Sequence, residues 1–141
     1  MSASLEGTAS SSPSKGLGVA LWIAQVLLAA VFGMSGAMKL FTPIAELAQK
    51  MPWVAHAPWL VRFIGVSELA GALGLVLPSV TRVRPGLTPL AALGLVVVMA
   101  LAVPFHLLRG EVAVVPVPVV LGALAGFVAW GRHRRLPIAP R

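Results

Sequence analysis

The chain has 141 residues, of which 58% are hydrophobic and 11% are charged; it contains no cysteine, and its formal net charge is +7. A soluble domain of this length needs far more charged surface, so the composition indicates an integral membrane protein. The basic residues do not form a helix with interleaved aromatic residues, which argues against nucleic-acid binding, and the lack of cysteine excludes disulfides, thiol redox chemistry and cysteine-ligated metals.

The amino-terminal region is predicted to be a tail followed by a membrane helix. Residues 1–16 are rich in Ser, Ala and Gly, which is typical of a disordered tail, here placed in the cytoplasm. The apolar segment at about 17–41 is longer than the roughly 7–15 residues of a signal-peptide core, so we expect it to remain as a membrane helix. A signal peptide cleaved at Ser35-Gly36-Ala37 is the alternative.

Three further apolar segments follow, each long enough to cross a hydrocarbon layer of about 30 Å. They are predicted at about 60–77, 87–108 and 112–130. The polar connection before the first of them contains Trp53 and Trp59, which favours a short element at the membrane interface. Pro116 and Pro118 raise the alternative of a hairpin that does not cross, but no charged residue lies in 112–131. The prediction is an all-α, integral membrane four-helix bundle, with a membrane domain at 17–131 and a basic cytoplasmic tail at 132–141.

The distribution of basic residues predicts that both ends face the cytoplasm, in a multi-pass protein of the inner membrane. With the amino terminus inside, seven Lys and Arg residues lie on the inner side and four on the outer side, as the positive-inside rule requires. The inner set is Lys15, Arg82, Arg84, Arg132, Arg134, Arg135 and Arg141; the outer set is Lys39, Lys50, Arg62 and Arg109.

Small residues recur at the spacing of helix contacts. They are Ala29, Gly33 and Ala37 in the first helix, Ser67, Gly71 and Gly74 in the second, and Gly122 and Gly126 in the fourth. Because lipid provides no hydrophobic drive between helices, such residues favour close packing within one bundle, or alternatively a homodimer interface.

The candidate functional residues are the few ionisable side chains inside the predicted spans: Lys39, Arg62, Glu68 and His106, all in the outer half of the bundle. Each costs roughly 2.5–3.5 kcal/mol to insert, so each needs a partner or a wet cavity. Lys39 and Arg62 could instead extend to the outer headgroups, and His106 could be an interfacial residue. Glu68 is too short for that, which leaves a structural pair with Lys39 or Arg62, or a role in binding a ligand or a proton.

The same residues do not form a recognisable catalytic or metal site. The three histidines have no acidic residue at ligand spacing, so we expect no metal site. No Ser-His-acid arrangement can be assembled, because Glu68 is the only acid inside the predicted spans. Whether the chain is an enzyme stays open, and no catalytic residue is assigned.

Three motifs resemble the DoxX-like family of small four-helix membrane proteins: FGMSGAMKLF at 32–41, RFIGVSELAGALGLVLP at 62–78 and FHLLRGE at 105–111. The resemblance covers about residues 18–131. It implies that the polar residues of the family correspond to Lys39, Glu68 and His106. It also implies an association with redox proteins, since the family takes its name from a link to thiosulfate:quinone oxidoreductase.

Three functional hypotheses follow. A redox-associated subunit would bind a quinone or similar lipophile in the outer half of the bundle, with Lys39 or His106 bonded to a carbonyl oxygen and Glu68 carrying a proton; it would act with a redox partner protein. A non-catalytic scaffold would use a Lys39–Glu68 pair to lock the bundle. A small proton-coupled transporter would use Glu68, although the sequence shows no inverted repeat.

Overall fold

The computed structural model describes residues 14–141, which fold into helices without strands. The helices are α1 (Ser14–Phe41), α2 (Ile44–Lys50), α3 (Pro58–Thr81), α4 (Leu87–Leu108) and α5 (Pro116–Trp130). Short 3₁₀ turns occupy Pro52–Ala55 and Val112–Val114, and a π-helical turn, Gly131–Arg135, continues α5. Most of the predicted amino-terminal tail, residues 1–13, lies outside the described residues.

Four helices are long and apolar enough to cross a membrane, which confirms the predicted all-α four-helix membrane fold. The candidate spans are Lys15–Phe41, Pro58–Thr81, Leu87–Leu108 and Val112–Arg135. Because the four spans alternate in direction, Ser14 and Arg141 lie at one end of the bundle, which we call the terminal end. The connection between α1 and α3 and the turn after α4 lie at the opposite end, the loop end.

The bundle forms a closed ring in which α1 packs on α3, α3 on α4, α4 on α5 and α5 on α1. The backbones of α1 and α3 approach each other closely, because glycines face each other there. A Cβ on Gly65 would lie 3.0 Å from the carbonyl oxygen of Gly36 and 3.0 Å from Cβ of Lys39. This approach brings the polar residues of α1 and α3 within hydrogen-bonding distance.

Two boundaries differ from the sequence prediction. The predicted second span ends at Leu77, but α3 continues through Pro78 to Thr81. Proline removes one backbone donor, yet the Thr81 hydroxyl donates to the Leu77 carbonyl and Ser79 bonds to Thr88, so side chains hold the last turn in place. At the carboxyl end, the predicted basic tail begins instead as helix, and Arg132 is buried in the bundle.

Prolines begin two of the long helices at the loop end, and a short covering segment lies between α1 and α3. Pro58 and Pro116 occupy the first turns of α3 and α5, where the missing backbone donor has no intrahelical partner. Between α1 and α3, α2 and the following 3₁₀ turn fold back on the bundle, and their Leu47 and Val54 are fully buried with Val61 of α3. This segment covers the loop end and positions Trp53 over the site described below.

Candidate functional site

A cavity of about 390 Å³ opens between the spans at the loop end. This volume lies within the roughly 300–1,000 Å³ of small-molecule sites, and the walls are mainly apolar with a few polar groups, as in such sites. The cavity brings together three of the four candidates from the sequence, Lys39, Glu68 and His106. Arg62 is not among its lining residues.

Lys39 and Glu68 form an ion pair that crosses from α1 to α3. Lys39 Nζ donates to Glu68 Oε1 at 2.8 Å and to Oε2 at 3.0 Å, and it also donates to Ser35 Oγ at 2.9 Å. Ser35 Oγ donates in turn to Glu68 Oε2 at 2.8 Å. The side chains of Lys39 and Glu68 are only 15% and 4% exposed, so Lys39 turns into the bundle rather than toward headgroups.

These contacts use all three protons of the Lys39 ammonium group. Lys39 therefore has no unused donor for the carbonyl oxygen of a ligand unless one of these bonds opens. The carboxylate of Glu68 likewise accepts three hydrogen bonds. The pair and Ser35 form a satisfied polar wall of the cavity, and they also join α1 to α3.

Arg62 stabilises the end of α1. Its Nη1 donates to the carbonyl oxygens of Lys39 at 2.8 Å, Leu40 at 2.7 Å and Thr42 at 2.9 Å. The carbonyls of Lys39 and Leu40 are among the last of α1, which have no intrahelical partner, and Thr42 directly follows that helix. A cation also complements the negative end of the helix dipole. The structure thus places Arg62 beside the ion pair but gives its guanidinium a capping contact.

His106 is held by a turn at the end of α4. Gly110 has a φ of +72°, in the left-handed region that favours glycine. The backbone N–H of Gly110 donates to Leu107 O at 3.0 Å and that of Glu111 to His106 O at 2.9 Å, the bond pattern of a Schellman motif. This turn returns Glu111 to the histidine that precedes it by five residues.

The Glu111 carboxylate fixes the orientation and tautomer of His106. Its Oε2 lies 2.7 Å from His106 Nδ1, and its Oε1 accepts from Arg109 Nε at 2.8 Å. Hydrogen bonds from His106 and then Arg109 hold the pKa of Glu111 below its usual value, so the carboxylate is ionised near neutral pH. A carboxylate only accepts, so Nδ1 carries a proton, and Nε2 is a proton acceptor whenever the imidazole is neutral.

Aromatic side chains form one side of the cavity. The rings of Trp53 and Phe105 meet edge to face with centroids 5.2 Å apart, and the Phe105 ring meets the His106 ring at 5.7 Å. Edge-to-face pairs are stable arrangements of aromatic groups. They connect the covering segment between α1 and α3 to the histidine on α4.

Sequence reasoning missed Ser35, Trp53 and Glu111 as parts of this site. The spacing His-x-x-x-Gly-acid in residues 106–111 contained the signal for Glu111, since a glycine after a helix end reverses the chain. Ser35 lies four residues before Lys39, on the same helix face. Within residues 14–141, no group of three or more His, Asp or Glu side chains is placed to hold a metal ion.

One comparison with known proteins, the match to a family profile, identifies the family of this chain. No curated protein and no solved structure matches the chain. The profile of the DoxX-like family matches residues 23–128, which include α2, α3 and α4 entirely and most of α1 and α5. Because this match extends over well more than half of the sequence, the chain belongs to the DoxX-like family.

Proposed function

We propose that the loop-end cavity binds the headgroup of a quinone or a similar lipophile, and that the chain is a membrane subunit of a redox system. The observation that supports this most directly is the pairing of His106 with Glu111 at the wall of an apolar cavity. A histidine with its Nδ1 proton held by a carboxylate offers Nε2 to a hydroxyl group, as a quinol presents.

The position of the cavity suits a ligand that arrives from lipid. Several of its lining residues are also exposed on the outer surface of the bundle, including Phe63, Leu101 and Val117. In a membrane these side chains face lipid, so a lipophile would enter sideways without crossing water. A headgroup would then lie near His106 while an apolar tail stayed between the helices and the bilayer.

In this proposal the residues of the cavity have different roles. His106 takes the proton of the hydroxyl that it contacts, and Glu111 stabilises the resulting positive charge. The opposite polar wall is formed by Lys39, Glu68 and Ser35. Lys39 would have to break its hydrogen bond to Ser35 or Glu68 before it could donate to the ligand. The electrons and the second proton of a quinol are left to a redox partner protein.

Binding can be tested with a short-chain benzoquinone, because quinones quench tryptophan fluorescence and Trp53 lines the cavity. We expect saturable quenching of the purified protein, with most of it lost in Trp53→Phe. Replacement of His106 by Asn should weaken binding by about tenfold, the loss of roughly one good hydrogen bond to a polarised partner. Equal quenching of all three proteins, without saturation, would overturn the proposal.

A second candidate function is a non-catalytic scaffold, and the complete hydrogen bonding of Lys39 favours it. In a scaffold, the Lys39–Glu68 pair only locks α1 to α3, as buried polar groups can do to specify one packing. Quenching by quinone would be absent, while chemical cross-linking in the membrane would capture a partner protein.

Proton-coupled transport, the third candidate, would show as pH-driven flux in vesicles that depends on Glu68.

We also infer the orientation of the chain in the membrane and the surface through which it forms a homodimer. The excess of basic residues at the terminal end supports a cytoplasmic location for that end, in a protein of the inner membrane. A groove of about 430 Å³ between α3 and α4 is lined by Gly71, Gly74, Ala91 and Gly94, and it is the surface we assign to a homodimer. Cross-linking between copies through this groove tests that assignment.

A further inference from the structure

A buried arginine lies at the terminal end, far from the cavity. Arg132, in the π-helical turn after α5, is only 6% exposed. Its Nε donates to Gln25 Oε1 at 2.6 Å, its Nη1 donates to the Leu136 carbonyl at 3.2 Å, and its guanidinium lies 5.2 Å from the centre of the Trp22 ring. Both hydrogen-bond acceptors are neutral, although a guanidinium is always charged.

The surrounding network fixes the orientation of Gln25. Its Nε2 donates to the Leu75 carbonyl at 2.6 Å and to Ser79 Oγ at 3.2 Å, and Ser79 shares a 2.7 Å bond with Thr88. The amide oxygen of Gln25 therefore faces Arg132. Three helices, α1, α3 and α4, supply these groups, so the fold holds the guanidinium in one place with its positive charge intact.

Arg132 also has an unused donor. Its Nη2 is buried, and among residues 14–141 it has no hydrogen-bond partner. A buried charge without a counter-ion is costly, and the full desolvation cost of an unpaired donor adds to it. The arrangement is complete only when an anion or another acceptor reaches this nitrogen.

No acidic side chain of the described residues lies at this end. The sequence has four acidic residues, and Glu46, Glu68 and Glu111 belong to the loop end or the middle of the bundle. The cations, in contrast, gather at the terminal end: Lys15, Arg82, Arg84, Arg132, Arg134, Arg135 and Arg141. An oxyanion from outside the described part of the chain would balance this charge.

We propose that Arg132 is the binding site for the phosphate group of an anionic phospholipid. Arginine recognises phosphate through pairs of its N–H groups, and basic pockets between membrane helices bind acidic headgroups. The contact of Nη1 with Leu136 is the longer of the two hydrogen bonds of Arg132. A phosphate oxygen that replaces the Leu136 carbonyl would let the headgroup bridge Nη1 and Nη2.

The test uses the full chain in nanodiscs of phosphatidylcholine, with and without phosphatidylglycerol, and measures the Tm. For the wild type, the anionic lipid should raise the Tm, and native mass spectrometry should retain one bound phosphatidylglycerol. Arg132→Lys keeps the positive charge but lacks the paired N–H groups of the guanidinium. It should therefore lose most of the rise in Tm and the bound phosphatidylglycerol. Arg134→Lys, the same change at an exposed arginine two residues away, should behave as wild type.

A second variant guards against misfolding and separates the alternatives. Gln25→Glu places a carboxylate on Arg132, although it also removes the donor to the Leu75 carbonyl. Measured against its own Tm in phosphatidylcholine, this variant should therefore show no extra gain from phosphatidylglycerol. The proposal is overturned if Arg132→Lys and Arg134→Lys shift alike, or if Gln25→Glu keeps the full gain. Equal stabilisation by inorganic phosphate in detergent would overturn the assignment to lipid. No gain from phosphatidylglycerol in the wild type, together with a lower Tm of Glu6→Gln in phosphatidylcholine, would show that the tail supplies the anion, and would also contradict the proposal.

Discussion

Oε2 of Glu111 lies 2.7 Å from Nδ1 of His106, across a turn that a single glycine makes possible. The contact joins a residue of the turn after α4 to one at the wall of the loop-end cavity. It also turns a histidine at a helix end into an oriented proton acceptor. The proposed function depends on this relationship more than on the Lys39–Glu68 pair, whose hydrogen bonds are already complete.

The Lys39–Glu68 pair should show strong coupling when its members are removed separately and together. Glu68→Leu or Lys39→Met alone leaves a buried charge unpaired and should lower the free energy of unfolding by about 3 kcal/mol. The double variant removes both charges and should recover most of that loss. Denaturant unfolding in detergent checks this; a double variant that is as unstable as the two losses added together would contradict the pairing.

The close contact of α1 with α3 predicts opposite effects of alanine at two glycines. In Gly65→Ala the new methyl meets the Gly36 carbonyl and Lys39 at 3.0 Å, so the helices must separate, at a cost of about 1–3 kcal/mol. Gly126→Ala on α5 meets only Val96 Cγ2, at the ordinary contact distance of 3.9 Å, and should leave stability unchanged or raise it. Thermal unfolding of both variants measures this difference in stability, and equal Tm values would contradict the close packing of α1 on α3.

The loop-end turn should weaken in acid. Hydrogen bonds from His106 and Arg109 lower the pKa of Glu111 from its usual 4.5, so its contribution to stability is complete above that value. The contribution is lost as the pH falls through the lowered pKa of the folded state. Between about pH 7 and pH 3 the Tm of the wild type should therefore fall more than that of Glu111→Gln. Parallel curves of Tm against pH for the two proteins would show that Glu111 does not bond to His106 and Arg109.

The positive φ of Gly110 predicts an order among substitutions. Gly110→Ala places a side chain in the left-handed region at a cost of roughly 1–2 kcal/mol, whereas asparagine tolerates that region better. Alanine should therefore displace Glu111 from His106 and weaken benzoquinone binding more than asparagine does. Fluorescence titration of the two variants provides the comparison. Asparagine binding no better than alanine would contradict this account of the turn.

Membrane orientation can be read by labelling, because the chain has no cysteine of its own. Ala55→Cys lies at the loop end and Ala139→Cys at the terminal end, and both positions are exposed. We expect a membrane-impermeant maleimide to label Ala55→Cys from outside the cytoplasmic membrane and Ala139→Cys only after permeabilisation. The reverse pattern would place the terminal end outside.

Much of the fold could be predicted because the bilayer restricts the solutions. Length and apolarity located the four spans, and spacing along a helix placed Lys39 and Glu68 in the same half of the bundle. The sequence left open whether Glu68 pairs with Lys39 or with Arg62. The structure decides for Lys39, since Gly36 and Gly65 bring the two backbones together.

The burial of Arg132 depended on a contact that no local pattern encodes. Arg132 belongs to a run of basic residues that is typical of a cytoplasmic tail, yet it bonds to Gln25, 107 positions earlier in the chain. Its burial results from an extra turn of helix after α5. Glu111 was hidden for a different reason, because its proximity to His106 depends on the backbone angle of one loop residue.

The most direct test of the central claim is mass spectrometry of the lipids extracted with the protein from native membrane patches. The wild type is compared with Glu111→Gln and with Glu46→Gln, the same change at an exposed residue of α2 that does not line the cavity. The account predicts a quinone enriched over the bulk membrane in the wild type and in Glu46→Gln, and depleted in Glu111→Gln. No enrichment in any sample, or equal enrichment in all three, would contradict it.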